Sequence, residues 1–300
     1  MVTIDPQSIP TPKLHGYLLG AIAPRPIAFA STISADGAVN LSPFSFFNVF
    51  GANPPTLIFS PARRVRDNTT KHTLENVQQV AEVVINIVDY RMVEQMSLAS
   101  TEYGEGVNEF TKAGLTQAPA TKVAPPLVAE APAAFECIVK QVVPTGEEGG
   151  AGNLIICEVV MVHMQERILD ENGAIDPVKL DAVARMGGDW YCRANGDALF
   201  KLPKPNRDLG MGFDQLPERV RQSNVLTGNN LARLANEHQM PSPEEVEAYR
   251  LTEEAQELYR RFQHHAESFE DHTHLKAQEY LKAGKVVEAW KVLLLPNSPQ

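Results

Sequence analysis

The sequence of 300 residues lacks several features that mark large protein classes. Its three cysteines, Cys137, Cys157 and Cys192, form no CxxC pair. An odd and sparse set of this kind argues against a disulfide framework and favours a reducing compartment. No apolar run approaches the ~20 residues that span a bilayer, and the first residues show no basic segment followed by an apolar one, as a signal peptide would. We therefore expect a cytoplasmic protein without membrane contacts.

Positive charge is also in short supply. The chain has 27 Lys and Arg against 37 Asp and Glu, which gives a formal net charge of −10 and a pI near 5.3. Nucleic-acid-binding proteins need a basic patch or stripe, and the densest cationic cluster here is Arg63, Arg64 and Arg66. Three cations suit a single phosphate group better than a duplex, so we expect no nucleic-acid partner.

Motifs of several common enzyme classes are missing. The sequence contains no GxxxxGK[ST] phosphate loop, no HExxH and no GxSxG. The pair Gly150-x-Gly152 comes closest to a dinucleotide fingerprint, but the third glycine is absent and a strand pattern follows. We therefore predict no Rossmann nicotinamide-binding domain.

A group of histidines near the C-terminus has the composition of a metal site. His264, His265, His272 and His274 lie among acidic side chains. They form no helical HxxxH pair, and the residues around them carry solvated charges. We interpret this segment as a polar junction between helices and predict no metal site.

The first two thirds of the chain carry strand patterns, with turn signals at Asp36-Gly37 and at 149–152. Helical spacing over Lys71–Gln79 interrupts them, and Asp89 is placed to cap a helix through Met96. The predicted strands are Pro26–Ser34, Val39–Val49, Thr56–Ser60, Val83–Val88, Ala134–Val143 and Asn153–Gln165.

Strand signals disappear after about residue 205. Apolar residues then recur every three or four positions near 229–238, 244–265 and 273–294, which indicates helices. Residues 277–294 resemble half of a tetratricopeptide-type hairpin, but no second copy follows at that period, so we predict a single helical hairpin. The predicted division is an extended N-terminal arm at 1–12, a β domain at 13–205 and a helical C-terminal extension at 206–300.

Two stretches contain residues suited to binding chemistry, and the first is Arg25–Asn48. Two strand patterns enclose a turn, and short polar residues then alternate with aromatic ones in NLSPFSFFN at 40–48. A flavin needs an apolar slot for its ring and hydrogen-bond partners along its polar edge. Taken alone, the composition of the stretch favours a sheet core with Ser and Asn at a turn.

The second stretch is Ser60–Asn76, which places arginines, a lysine and hydroxyls just ahead of a predicted helix. The start of a helix presents unpaired N–H groups and partial positive charge, so a phosphate can bind there. Lys71 adds a point charge and Thr73 a hydroxyl. A solvated, capped helix start is the alternative.

Together the two stretches resemble the flavin reductase-like family of FMN-binding split barrels, which includes flavoredoxins and the reductase component of nitrilotriacetate monooxygenase. The matching segments follow the order of the family. They are PRPIAFASTIS at 24–34, DGAVNLSPFSFFN at 36–48, Lys71-x-Thr73-x-x-Asn76, VVINIV at 83–88, GVNEFTKAGLT at 106–116 and ARMGGDWYCR at 184–193.

The resemblance implies a mainly β fold, an FMN-binding split β-barrel with short helices, followed here by a C-terminal α-helical appendage. It also implies FMN rather than FAD as cofactor, NADH or NADPH as co-substrate, and a homodimer, with a monooxygenase or another redox protein as a further partner. The cofactor-binding residues that it implies are Ser31, Thr32, Ser42, Ser45, Phe46, Asn48, Ser60, Arg63, Lys71 and Thr73.

Hydride transfer from a nicotinamide to a flavin needs no protein nucleophile, because the protein stacks the two rings and excludes water. We therefore predict no catalytic acid or base, and interpret His163 as a core or interface residue. Cys137 and Cys157 lie in apolar strand patterns and are expected to be inert. Besides a flavin reductase, two functions stay open: a flavoredoxin-like electron carrier, and a flavin-binding protein that uses its tail to bind a partner.

Overall fold

The computed structural model describes residues 1–104, 106–202, 209–262 and 266–296. The chain divides into two compact units, Met1–Phe200 and Lys201–Gln300. The boundary predicted from the sequence, between residues 205 and 206, lies outside the described residues. Within the described residues no helix is both long and apolar enough to cross a membrane.

The first unit is built on strands, as the sequence pattern predicts. Its strands are β1 Ala28–Ile33, β2 Val39–Phe44, β3 Phe47–Ala52, β4 Pro55–Phe59, β5 Glu82–Asn86, β6 Gln117–Ala118, β7 Leu127–Val128, β8 Ala133–Pro144, β9 Asn153–Met164, β10 Val183–Arg185 and β11 Tyr191–Arg193. Seven of them form one antiparallel sheet in the order β2-β1-β5-β8-β9-β4-β3. β6 pairs with β7, and β10 pairs with β11.

Helices join the strands of the first unit and form the second unit. The first unit contains α1 Thr11–Ala21, α2 His72–Gln79, α3 Val93–Leu98, α4 Glu109–Ala113 and α5 Pro177–Leu180. The second contains α6 Glu218–Arg221, α7 Gly228–Ala235, α8 Pro243–Arg250, α9 Glu253–Phe262, α10 Ala266–Lys282 and α11 Val286–Leu293.

The sequence predicts one strand over Val39–Val49, and the structure divides it in two. β2 ends at Phe44 and β3 begins at Phe47, and the two strands lie at opposite ends of the sheet order. Pro43 lies in β2, a terminal strand of the sheet. Proline has no backbone N–H to donate to a neighbouring strand, and a terminal strand has no neighbour on its outer side, so proline is tolerated there. The break lets the chain leave one end of the sheet and return at the other.

The two faces of the sheet are buried against different partners, because successive side chains of a strand point to opposite faces. From β1, Ala28 and Ala30 contribute to a cluster with Leu74 and Val77 of α2. Phe29, between them, belongs to the other cluster, with buried side chains that include Met92, Met96 and Phe110. Both faces of the sheet are therefore covered by packed hydrophobic side chains.

The N-terminal region differs from the prediction. Residues 1–12 were expected to form an extended arm, but Pro6–Ser8 form a 3-10 turn and α1 begins at Thr11. The three prolines do not prevent this, because proline is tolerated in the first turn of a helix. The N–H groups of that turn have no hydrogen-bond acceptor within the helix, so the lack of one costs nothing. Residues 13–21 of α1 show no strong pattern in the sequence, and the helix was missed.

The second unit has a hydrophobic core of its own, which explains its helical periodicity. Trp290 is 1% exposed and its indole N–H donates to the carbonyl of Leu234 at 3.2 Å. The segment predicted as 273–294 is two helices, α10 and α11, separated at Gly284, whose φ of +76° favours glycine. The segment predicted as 244–265 is likewise divided into α8 and α9, and its last three residues lie outside the described part of the chain.

Candidate functional site

Two clefts of the first unit lie beside β2, and we call the pair the groove. The cationic cleft is lined by Asn40, Ser42, Arg64, Lys71, His72, Thr73, Ala99, Ser100, Thr101, Glu102, Tyr103 and Glu109. The apolar cleft is lined by Ile27, Pro43, Ser45, Met96, Ser100, Arg185 and Tyr191. They share Ser100, and the adjacent residues Ser42 and Pro43 line one each.

The cationic cleft contains the ammonium group of Lys71, which has no ionic partner among the described residues. Lys71 is half-buried at the N-cap of α2, and among the described residues its ammonium has no hydrogen bond or ion pair. Burial lowers the pKa of Lys71, and the charge of Arg64 lowers it further. The first N–H groups of α2 are also left without a side-chain cap. Both features favour an anionic ligand at this end of the groove.

A buried network of polar side chains holds Thr73 beside Lys71. The side-chain amide of Asn40 donates to the hydroxyl oxygen of Thr73 at 2.9 Å and to that of Thr32 at 3.5 Å. Asn76 donates to the same Thr32 oxygen at 3.1 Å. Because the Thr73 oxygen accepts from Asn40, its own hydrogen remains available to an anion in the cleft.

The arginine that reaches the cleft is Arg64, whereas the sequence prediction named Arg63. The guanidinium of Arg63 is engaged by its own loop, since it donates to the side chain of Asn68 at 2.6 Å and to the Asn68 carbonyl at 2.7 Å. Arg64 lines the cleft, donates to the carbonyl of Thr70 at 2.5 Å and pairs with Glu102 at 3.1 Å.

The apolar cleft combines a cation and an aromatic ring contributed by the hairpin of β10 and β11. The guanidinium of Arg185 lies over the ring of Tyr191, 4.6 Å from its centroid. Within the described residues no carboxylate pairs with Arg185 and no hydrogen bond engages its guanidinium. Together with Ser45 and Pro43, these groups offer a slot with polar contacts at its edge.

Arg25 holds the wall of the apolar cleft in place. It is 6% exposed, and its guanidinium donates to the carbonyls of Leu19, Ile22 and Met186 at 2.5, 2.5 and 2.9 Å. A longer contact of 3.4 Å reaches the hydroxyl of Ser45. Burial lowers the pKa of Arg25, as does, to a lesser extent, the nearby charge of Arg185. Arg25 thereby joins the end of α1 to the hairpin that carries Arg185.

Apart from Arg63, and from Thr32, which is buried beneath the cationic cleft, four of the predicted site residues do not line the groove. Ser31 pairs with Leu41, on the sheet face opposite to Thr32, and its buried hydroxyl has no partner among the described residues. The ring of Phe46 packs edge-on against His15, and the side chain of Asn48 accepts from the N–H of Val49. The hydroxyl of Ser60 accepts from the N–H of Asn153 at 2.9 Å.

The structure brings together Ser42, Ser45, Lys71 and Thr73 in the groove, with Thr32 directly beneath. Sequence reasoning missed Asn40, Arg64, Arg185, Tyr191 and the loop at 99–103 as lining residues. Asn40 and the segment ARMGGDWYCR belong to the family-like segments of the sequence, so their general importance could be predicted. Their side-chain directions depend on strand pairing, which the sequence pattern does not provide.

Two groups that could suggest other chemistry have structural partners. His163 bonds to the buried carboxylate of Glu136 at 2.6 Å, and its own side chain is 34% exposed, so it lies at the border of the core and not within it. Burial raises the pKa of Cys157 to about 12 and raises that of Cys137 as well, so neither thiol is ionised at neutral pH. Across the described residues, no cluster of three or more His, Cys, Asp or Glu could hold a metal ion. His264 and His265 of the predicted polar junction lie outside those residues.

The two clefts combine cations at a helix start with an apolar slot, which suits a ligand that carries a phosphate and a flat ring. The flavin reductase like domain family model matches residues 20–179. An uncharacterized protein of Aquifex aeolicus is 39% identical over 189 residues, which are 63% of this chain and 94% of that protein. The chain belongs to the flavin reductase-like family and is a flavin-binding redox protein.

Solved structures agree with this assignment. Nitrilotriacetate monooxygenase component B from Bacillus cereus is 29% identical with a TM-score of 0.63, and the match covers 67% of this chain and 98% of that one. A putative flavin reductase with a split barrel domain from Shewanella frigidimarina is 25% identical with a TM-score of 0.57, covering 68% of this chain and 100% of that one. The predicted fold, a split barrel followed by helices, is confirmed.

Proposed function

We propose that the protein is an NAD(P)H-dependent flavin reductase that uses FMN. The observation that carries the proposal is the groove along β2. Its cationic cleft presents Lys71, Arg64 and Thr73 to a single phosphate, and its apolar cleft adjoins at Ser100. A ligand with one phosphate at one end and a flat ring at the other matches this arrangement, which favours FMN over FAD.

The residues present suit such a cofactor in chemical terms. Lys71 supplies charge, Thr73 a hydroxyl donor and α2 its first N–H groups, which is a common set for phosphate. Pro43, Ser45 and Tyr191 would border the ring. Bound FMN supplies the capacity to accept a hydride. The chain has to orient the nicotinamide against it and keep water out, so we assign no catalytic acid or base.

The partners of the protein are part of the same proposal. The relative from Bacillus cereus is named as component B of a monooxygenase, and by analogy we infer that this chain passes reduced flavin or electrons to a monooxygenase or another redox protein. A homodimer is supported by Val49 and Phe50 of β3, an end strand of the sheet, which are each 64% exposed. Three free cysteines accord with a reducing, cytoplasmic location.

The direct test is anaerobic mixing of the FMN-loaded protein with NADH and with NADPH, followed by flavin absorbance. We expect loss of the oxidised flavin band within seconds with at least one of the two nicotinamides, and a faster rate than for free FMN without protein. If the bound flavin stays oxidised for minutes with both, the reductase function is wrong. The electron-carrier function, in which a protein donates the electrons, would then take its place.

A further inference from the structure

A carboxylate already lies among the cations of the cationic cleft. Glu102 belongs to the loop between α3 and α4 and lines this cleft. Its carboxylate pairs with Arg64 at 3.1 Å and also with Arg66. Both hydrogen bonds lower the pKa of Glu102, so it is ionised at neutral pH. Two of the cations near the cleft are therefore partly neutralised by the chain itself.

The charge of Glu102 also acts on Lys71. Glu102 raises the pKa of the Lys71 ammonium, whereas Arg64 and Arg66 lower it. The other carboxylate of the cleft, Glu109, is directed elsewhere: it is 5% exposed, and it accepts the N–H of Leu41 at 2.9 Å. Glu102 is thus the acidic group that is paired with Arg64 of the cleft and with the neighbouring, exposed Arg66.

We propose that Glu102 is a specificity-determining residue, an internal anion that competes with the phosphate of a flavin for Arg64 and Arg66. The inference rests on the proposed function, because it assumes that the cationic cleft receives the phosphate. Phosphate binding has to displace the carboxylate from Arg64 or place two anions side by side, and either lowers affinity. Riboflavin, which has no phosphate, avoids this cost.

Two consequences follow for the flavin site. Glu102 reduces the preference of the protein for FMN over riboflavin, and it keeps FMN exchangeable rather than permanently held. The loop that carries Glu102 also contributes Ser100, the residue shared by both clefts.

The test is the variant Glu102→Gln, with dissociation constants for FMN and for riboflavin measured by flavin fluorescence quenching. Glutamine keeps the size and removes the charge. We expect FMN to bind about three- to tenfold more tightly, in line with the loss of two exposed ion pairs, and riboflavin affinity to change less than twofold. The gain for FMN should shrink as salt concentration rises.

The matched control is Glu94→Gln, which removes one exposed charge from α3 outside the groove and should change neither constant. Equal or weaker FMN binding by the Glu102 variant overturns the inference, because Glu102 would then only position the arginines. A gain shared by riboflavin or by the Glu94 variant also overturns it. Failure of the unmodified protein to bind either flavin overturns the proposed function together with the inference.

Discussion

At the scale of single residues, the proposed function gives Lys71 and Thr73 different contacts to one ligand. Replacing both by alanine removes an unpaired ammonium and a hydroxyl donor. We expect FMN binding to weaken by about 2–4 kcal/mol, since charge-assisted and neutral contacts contribute roughly 1–3 kcal/mol each. Fluorescence quenching titration measures the loss, with Lys140→Ala, a lysine paired with Glu158 on the sheet, as control. Equal affinity of the double variant and the unmodified protein would remove both residues from the site.

Arg185 lines the apolar cleft, where the proposed function places the flavin ring. A cation beside the ring stabilises the negative charge that a reduced flavin gains, so Arg185→Gln should lower the midpoint potential of bound FMN. A tenfold change in the two-electron equilibrium corresponds to about 30 mV, and Arg185→Lys should retain part of the effect. Arg193→Gln is the control, because Arg193 pairs with Asp181 and stacks on Tyr90. An unchanged potential in the Arg185 variants would contradict the assignment.

At the scale of elements, one buried carboxylate anchors a loop to the sheet. Glu136 of β8 accepts the N–H groups of Thr121, Lys122 and Val123 at 2.7, 2.5 and 3.2 Å, in addition to its contact with His163. Burial opposes the charge of Glu136, but the hydrogen bonds outweigh it and lower its pKa. The loop before β7 therefore depends on an ionised side chain of another strand.

We expect Glu136→Gln to reduce the free energy of unfolding at pH 7 by about 2–3 kcal/mol, because a charged acceptor of three N–H groups is lost. The pKa of Glu136 is lower in the folded than in the unfolded state, so its stabilising effect is complete above about pH 4.3. It is lost as the pH falls through the folded pKa. Denaturant unfolding at pH 7 and pH 3.5 should show the difference shrinking, whereas Glu158→Gln should show little effect at either pH. A difference independent of pH would exclude the charge as its cause.

At the scale of the whole molecule, the two units have separate hydrophobic clusters. The groove lies within the first unit, and the second has its own core around Trp290. We therefore expect a chain truncated after Pro205 to bind FMN as the full chain does and to remain a dimer. Light scattering together with flavin content decides this, and the exposed Trp190, in the hairpin of the apolar cleft, provides a fluorescence signal for flavin binding. A colourless monomer would show that the helical unit completes the site or the dimer.

Part of the site follows from local pattern. Alternating apolar residues mark the strands, and Lys71 and Thr73 stand at the start of a helix in the sequence as they do in the structure. The order of the family segments predicts the split barrel. These features are determined locally, because strand alternation, helix starts and turn chemistry depend on residues a few positions apart.

Only the tertiary structure decided which of two neighbouring residues reaches the groove. Thr32 lies on the sheet face of Asn40 and Ser42, which line the cationic cleft, and Ser31 lies on the opposite face, because the pairing of β1 with β2 assigns alternate residues to opposite faces. Arg64 lines the groove and Arg63 does not, because the guanidinium of Arg63 donates a hydrogen bond to the side chain of Asn68. Arg185 and Tyr191 join Ser45 across more than a hundred residues. Contacts of this range depend on register and packing, so the sequence by itself determined the elements and the chemistry available, and the fold selected the side chains that meet.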